Sequence, residues 1–137
     1  MAKQITVQEA LIYSMVTLSA ADTRMTDREL AKIGDIVRSL PIFGKYDEER
    51  LVPDAKACGA ILQEEDGLDR VLELIAETVP PRLHETAYAL TVEVAAADLH
   101  VEQEELRFLA LLRNQLEIDP LVSAAIERSA RARYRQL

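Results

Sequence analysis

Four carboxylates recur as two matched pairs along this chain. Asp22 is followed by Glu29, and 76 positions further on Asp98 is followed by Glu105 at the same spacing. Two copies that fold alike around an approximate two-fold axis would bring these side chains together, and Ca²⁺ and Mg²⁺ prefer such all-oxygen ligands. We therefore predict a site for Ca²⁺ or Mg²⁺. The predicted ligands are Asp22, Glu29, Asp98 and Glu105, with Asp27 and Glu104 as outer-shell charge.

A structural role is the alternative for the same acids. We expect Asp22 and Asp98 at helix ends, where the helix dipole disfavours negative charge, so each of them needs a compensating partner. The free N–H groups at the start of the next helix supply one, while Glu29 and Glu105 reach back to the turn. Under this alternative the repeated acids are helix caps and hold no metal.

The acids belong to a longer repeat, in which segment 19–30 returns as segment 95–106. Apolar residues follow helical spacing nearly everywhere, and alternating β-branched runs are absent. Thr26 and Glu29 have the pattern of a capping box, and Asp66 before Gly67 predicts a turn and a helix cap. We predict one all-α domain over residues 1–137, a compact bundle of about seven helices. Its repeat halves span about 9–40 and 85–116.

The repeated motif has a recognisable order. An alanine-rich helix end with an aspartate, Ala20-Ala21-Asp22, precedes a basic residue, an apolar residue, a threonine cap and acids in the segment Arg24 to Glu29. Ala96-Ala97-Asp98 and the segment Val101 to Glu105 follow much the same order. This motif resembles the tellurite-resistance TerB family, which also looks like the membrane-proximal domain of certain J-domain co-chaperones.

The resemblance covers most of the chain, from about Glu9 to Ala132. It implies a seven-helix fold, tellurite resistance, a role in the stress response and metal binding. The chain departs from the family pattern in two places. The glycine after each aspartate is replaced by Thr23 and Leu99, so the turn is not adapted to positive φ, and Glu102 stands where a Ser/Thr cap is usual.

The charge and composition of the chain limit the classes of partner that it can bind. The net charge of −8 argues against a general nucleic-acid binder, which needs a basic surface, so protein partners are favoured. The last eleven residues are basic, and they either complement the dipole of a final helix or provide peripheral contact with a membrane or an acidic partner. Their cations are Arg128, Arg131, Arg133 and Arg135.

The remaining sequence features point to a cytoplasmic protein without catalytic activity. No apolar run is long enough for a transmembrane segment, and the N-terminus has no signal-peptide core. The single cysteine, Cys58, cannot form an internal disulfide and is predicted to fill the core. No glycine-rich phosphate loop or Ser/His/Asp grouping is present, so we do not predict an enzyme.

Two functions therefore compete. The first is a TerB-like, non-catalytic stress-response module that binds partner proteins and a divalent cation through its repeated acids. The second is a purely structural helical adaptor or homo-oligomer whose acids are helix caps without metal.

Overall fold

The computed structural model describes residues 4–21, 25–98 and 101–137. These residues form seven α-helices that pack against one another, and none of them lies in a β-strand. The helices are α1 (Val7–Ser19), α2 (Asp27–Ser39), α3 (Leu51–Leu62), α4 (Gly67–Thr78), α5 (His84–Ala97), α6 (Gln103–Gln115) and α7 (Pro120–Arg133). The predicted all-α bundle is confirmed. Within the described ranges, no helix is long and apolar enough to cross a membrane.

Local capping explains where two of the helices begin. The hydroxyl oxygen of Thr26 accepts a hydrogen bond from the Glu29 N–H at 3.2 Å, and Glu29 Oε1 accepts one from the Thr26 N–H at 2.9 Å. These paired bonds form the predicted capping box of α2. In front of α7, Asp119 Oδ2 accepts from the Val122 N–H at 3.4 Å, and Pro120 occupies the first helical position.

Two other helix starts differ from the sequence prediction. α1 has a capping box that was not predicted, in which Thr6 and Glu9 exchange hydrogen bonds of 2.8 and 3.1 Å. The predicted cap at Asp66 is wrong, because its side chain makes no capping bond to α4. Capping residues normally have extended backbone, whereas Asp66 has φ −104° and ψ 35°.

α1 is the central helix of the bundle. Eleven of its thirteen residues are buried, and it packs against α3, α4 and α5. In the interior, the Thr91 hydroxyl of α5 donates a hydrogen bond to Ser14 Oγ of α1 at 3.0 Å. Cys58 of α3 is fully buried, as predicted. The sequence of α1 is apolar around most of its circumference, which allows the helix to be surrounded by the others.

The repeat is visible in the helix bounds. α2 and α6 both contain 13 residues, and their first residues, Asp27 and Gln103, stand 76 positions apart. Their last residues, Ser39 and Gln115, have the same separation. Each half therefore contributes two consecutive helices, α1 with α2 and α5 with α6. The two-fold relation between the halves stays a prediction.

Candidate metal centre

Three of the four predicted ligands lie together. One carboxylate oxygen from each of Glu29, Asp98 and Glu105 lies within 4.8 Å of the other two. We call these three residues the acidic cluster. Asp22, the fourth predicted ligand, lies outside the described residues. The cluster joins the start of α2, in the first half, to the end of α5 and the start of α6, in the second.

Helix ends place the three carboxylates of the acidic cluster. Glu29 and Glu105 are each the third residue of their helix, and side chains of a helix tilt towards its N-terminus. Asp98 directly follows α5. Because α2 and α6 have the same length and register, the two glutamates reach equivalent positions at the starts of their helices.

Both glutamates also cap their helices. Glu29 Oε1 accepts hydrogen bonds from the N–H and the hydroxyl of Thr26, at 2.9 and 3.0 Å. Glu105 Oε1 accepts from the Glu102 N–H at 3.0 Å, so the glutamate that replaces the usual Ser/Thr still offers its backbone donor. The second oxygen of Glu29 accepts no hydrogen bond from a described residue. Capping and metal binding are therefore compatible at Glu29.

The acidic cluster concentrates negative charge. Two unit charges 4.8 Å apart repel by roughly 1 kcal/mol in water and about 3.5 kcal/mol at an effective dielectric constant of 20. The dipoles at the starts of α2 and α6 favour the charges of Glu29 and Glu105, whereas the dipole at the end of α5 opposes that of Asp98. Glu105 is only 3% exposed, which limits screening by water. The convergence of three carboxylates favours a cation between them.

The donor set fits a hard divalent ion. All three groups offer carboxylate oxygens, which Ca²⁺ and Mg²⁺ prefer over the nitrogen and sulfur ligands of softer metals. Two oxygens bound to one Ca²⁺ at 2.3–2.6 Å are at most about 5 Å apart, so the observed separations admit one Ca²⁺. Mg²⁺ binds oxygen at about 2.0–2.1 Å, demands a more regular geometry than Ca²⁺ and keeps more of its bound water.

The two predicted outer-shell acids lie beside this centre in the chain. Asp27 is in the first turn of α2 and Glu104 in the first turn of α6, and both are exposed. Neither belongs to the acidic cluster of described residues. Their outer-shell role stays a prediction.

A second polar cluster was not predicted from the sequence. It lies where the connection between α2 and α3 meets α1 and α3. Arg50 Nη2 lies 3.1 Å from Glu9 Oε2 and 3.9 Å from Asp54 Oδ1, and the Tyr46 hydroxyl donates to Asp54 Oδ2 at 2.6 Å. Burial alone would raise the pKa of Glu9, but hydrogen bonds from Thr6 and the charge of Arg50 lower it overall. The cluster ties the connection to the bundle.

One sequence signal could have revealed part of this second cluster. Thr6 and Glu9 have the same Thr-x-x-Glu spacing as Thr26 and Glu29, so the capping box of α1 was available to sequence reasoning. The other members of this cluster, Tyr46, Arg50 and Asp54, are distant from Glu9 in sequence, and no sequence pattern predicts that they meet it.

The buried thiol is unsuited to nucleophilic chemistry. Cys58 Sγ lies 3.4 Å from the Thr17 hydroxyl, and burial raises the pKa of the Cys58 thiol to about 11. The thiolate is the nucleophilic form of cysteine, and it is scarce at neutral pH when the pKa is this high.

The relationship of the chain to known proteins agrees with this fold. A family model described as tellurite resistance protein TerB matches residues 8–128, which include most of α1, all of α2 to α6 and the first part of α7. The chain belongs to the TerB family. As a TerB domain, it is a tellurite-resistance-related module. No curated protein and no solved structure is similar enough to the chain to count as a match.

The basic end of α7 extends beyond the TerB match, which ends at Arg128. Arg133 forms an ion pair with Glu93 of α5, so one of the four arginines helps to hold α7 on the bundle. Arg128, Arg131 and Arg135 are exposed. Arg131 and Arg133 lie in the last turn of α7, where a cation complements the helix dipole, and Arg128, Arg131 and Arg135 leave a basic surface at this end of the TerB domain.

Proposed function

We propose that this TerB domain is a non-catalytic, cytoplasmic stress-response module that binds one divalent cation between its two repeat halves. The proposed ligands are Glu29, Asp98, Glu105 and Asp22. Protein partners would recognise the domain, and the exposed arginines of α7 offer an additional surface for an acidic partner or a membrane. The proposal rests on one observation, the convergence of three repeated carboxylates within 4.8 Å.

The cation would act by linking elements that the chain brings together only through folding. The acidic cluster contains the starts of α2 and α6 and the end of α5, so an ion held there bridges the two halves. It would replace repulsion among three carboxylates with attraction to a shared positive charge. Cation binding would therefore stabilise the relative placement of the halves.

Calcium titration of metal-stripped protein tests this proposal. A ligand that binds only the folded state raises the free energy of unfolding, by about 2.7 kcal/mol at a concentration 100 times its Kd. We expect CaCl₂ to raise the melting temperature of the wild type and to give saturable heat in isothermal titration. Because Mg²⁺ demands near-octahedral geometry and loses its bound water reluctantly, MgCl₂ should have a smaller effect.

Glutamine substitutions separate this proposal from a capping role. Glutamine replaces glutamate in capping boxes, so Glu29→Gln and Glu105→Gln keep the caps while removing a ligand charge. Each should abolish the response to Ca²⁺. The matched control is Glu64→Gln with Glu65→Gln, which removes charge from exposed positions outside the cluster. A wild type that gives neither heat nor a thermal shift with Ca²⁺ would refute the cation site.

The structural adaptor is the second candidate, and the capping bonds of Glu29 and Glu105 support it. In that case neither ion would change the melting temperature. Threonine-to-alanine substitution at Thr26 would then destabilise the domain, while Glu29→Gln would have little effect.

A further inference from the structure

An apolar groove lies beside the acidic cluster, with a volume of about 1020 Å³. Val16 and Thr17 of α1 line it between five residues of α3 and four of α6, and Leu30 of α2 and Leu68 of α4 also contribute. α3 and α6 both pack on α1 but make little contact with each other. Val52 and Leu68 also line the groove and are 45% and 38% exposed. Within residues 4–21, 25–98 and 101–137, apolar surface thus lies open between α3 and α6, and contiguous exposed apolar surface marks interaction sites.

The side chains that line this groove carry a net positive charge, whereas the net charge of the whole protein is negative. Lys56 of α3 and Arg107 of α6 line it and are exposed, and Glu104 is the third charged lining residue. Within the described ranges, neither Lys56 nor Arg107 takes part in an ion pair or a hydrogen bond. Among the residues that the structure describes, two cations without ion-pair partners therefore line this apolar surface, one from α3 and one from α6, in a chain of net charge −8.

The shape of the groove suits a helix. The described residues form no strand, so they offer no sheet edge to which an extended peptide could add. α3 has 12 residues and is about 18 Å long, which is the length of about three helical turns. A helix lying between α3 and α6 could bury an apolar stripe on α1 and carry acids on both flanks.

We propose that this groove binds an amphipathic helix of a partner protein, about three turns long, whose apolar stripe is flanked by acidic side chains. This inference rests on the proposed role in partner binding and is independent of the cation. Helix α7 of a second copy is a poorer occupant, because it carries the exposed Arg128 and Arg131 and would repel Lys56 and Arg107.

Gly59 provides a way to close the groove without disturbing the core. It lies on α3 and lines the groove, and a Cβ atom added there would meet no atom within 4 Å. Gly59→Trp should therefore fill the groove while the bundle stays folded. Ala60→Trp is the matched control, since Ala60 is the next residue on α3, is exposed and does not line the groove.

The test uses two synthetic helices with the same apolar stripe. Both are fluorescein-labelled, alanine-rich peptides of about four turns, with leucines on one face and either glutamate or lysine on the flanks. We expect saturable binding of the glutamate peptide to the wild type by fluorescence anisotropy, at least about tenfold tighter than the lysine peptide. Gly59→Trp should weaken binding by about tenfold or more, and Ala60→Trp should leave it unchanged.

Charge reversal tests the specificity. Lys56→Glu with Arg107→Glu should invert the preference, so that the lysine peptide binds more tightly than the glutamate peptide. The control, Arg70→Glu with Arg82→Glu, makes the same change in net charge at exposed positions away from the groove and should keep the original preference.

Several outcomes would overturn the inference. They are binding of neither peptide, equal binding of both, and full binding by Gly59→Trp. Saturable binding of dodecanoate without peptide binding would assign the groove to an acyl chain instead. A wild-type dimer in sedimentation equilibrium that Gly59→Trp dissociates would assign it to a second copy.

The cation proposal is measured separately on the same variants. Gly59→Trp should keep the thermal response of the wild type to Ca²⁺, because the substitution leaves the acidic cluster intact. If Gly59→Trp loses peptide binding but keeps its response to Ca²⁺, the result bears only on the groove. If the wild type shows no response to Ca²⁺, the result bears only on the acidic cluster.

Discussion

At the scale of single residues, the buried hydroxyl of Ser19 has a consequence for stability. Ser19 is 1% exposed, and among the described residues its Oγ is a buried polar side-chain atom without a hydrogen-bond partner. The matching residue of the second repeat is Ala95, which is buried without a polar atom. A buried unsatisfied hydroxyl costs about 1–3 kcal/mol.

We expect Ser19→Ala to raise the free energy of unfolding by about 1 kcal/mol, because it removes the unsatisfied group and alanine favours the helix. Urea denaturation monitored by circular dichroism measures the change. Ser14→Ala is the contrasting variant, since it removes the bond from Thr91 and should destabilise the protein. A less stable Ser19→Ala protein would mean that this hydroxyl has a partner in solution.

Cys58 makes stability depend on pH in the alkaline range. Burial raises the pKa of its thiol to about 11, whereas a cysteine in an unfolded chain has a pKa of about 8.5. The unfolded state therefore loses the proton first, and the stabilisation is complete below pH 8.5 and falls as the pH rises towards 11. Tyr13 and Tyr88, whose pKa values burial raises to about 12, add to the loss only above about pH 10.

The measurement is the urea midpoint of the wild type and of Cys58→Ala between pH 8 and pH 10. We expect the wild type to lose stability over this interval and Cys58→Ala to lose less, whatever its stability at pH 8. Equal slopes for the two proteins would show that the thiol titrates alike in the folded and unfolded states.

At the scale of helices, the capping box of α2 performs two tasks, because Glu29 both caps the helix and belongs to the acidic cluster. We expect Thr26→Ala to lower the free energy of unfolding by about 1 kcal/mol, the usual effect of removing a threonine cap. Thr26→Ser should keep most of the stability, since serine supplies the same hydroxyl. Chemical denaturation of both variants measures the difference. Equal stability of the wild type and Thr26→Ala would show that the Thr26 cap does not stabilise the protein.

The same helices show what the sequence could and could not predict. The bounds of α2 and α6 follow from capping residues and a fixed repeat offset, because both signals are local. At Asp66 the predicted capping bond is absent, because the backbone, at φ −104° and ψ 35°, is not in the extended conformation typical of capping residues. Convergence of Glu29 and Glu105 could be argued from the repeat. The groove between α3 and α6 could not, because it depends on how helices distant in sequence pack on α1.

At the scale of the whole molecule, charge is unevenly placed. The chain has a net charge of −8, three carboxylates converge in the acidic cluster, and exposed cations lie at the groove and at the end of α7. Separation of this kind favours different partners at different surfaces, a cation at the cluster and acidic groups at the groove. The two surfaces are close, because Glu104 lines the groove and is the neighbour of Glu105 in the chain.

The repeated aspartates give the last prediction, because the two proposed functions require opposite effects on global stability. In a cation site without metal, Asp22 and Asp98 add to the repulsion in the cluster, so Asp22→Asn with Asp98→Asn should raise the free energy of unfolding in EDTA. The same double variant should lose the stabilisation by Ca²⁺. If the aspartates only cap, stability should fall modestly, since asparagine caps almost as well but lacks the favourable charge near a helix start. Urea denaturation with and without Ca²⁺ distinguishes these results, with Asp66→Asn and Asp69→Asn as the charge-matched control. If the double variant is less stable than the wild type, and Ca²⁺ does not stabilise the wild type, the repeated aspartates have only a structural role.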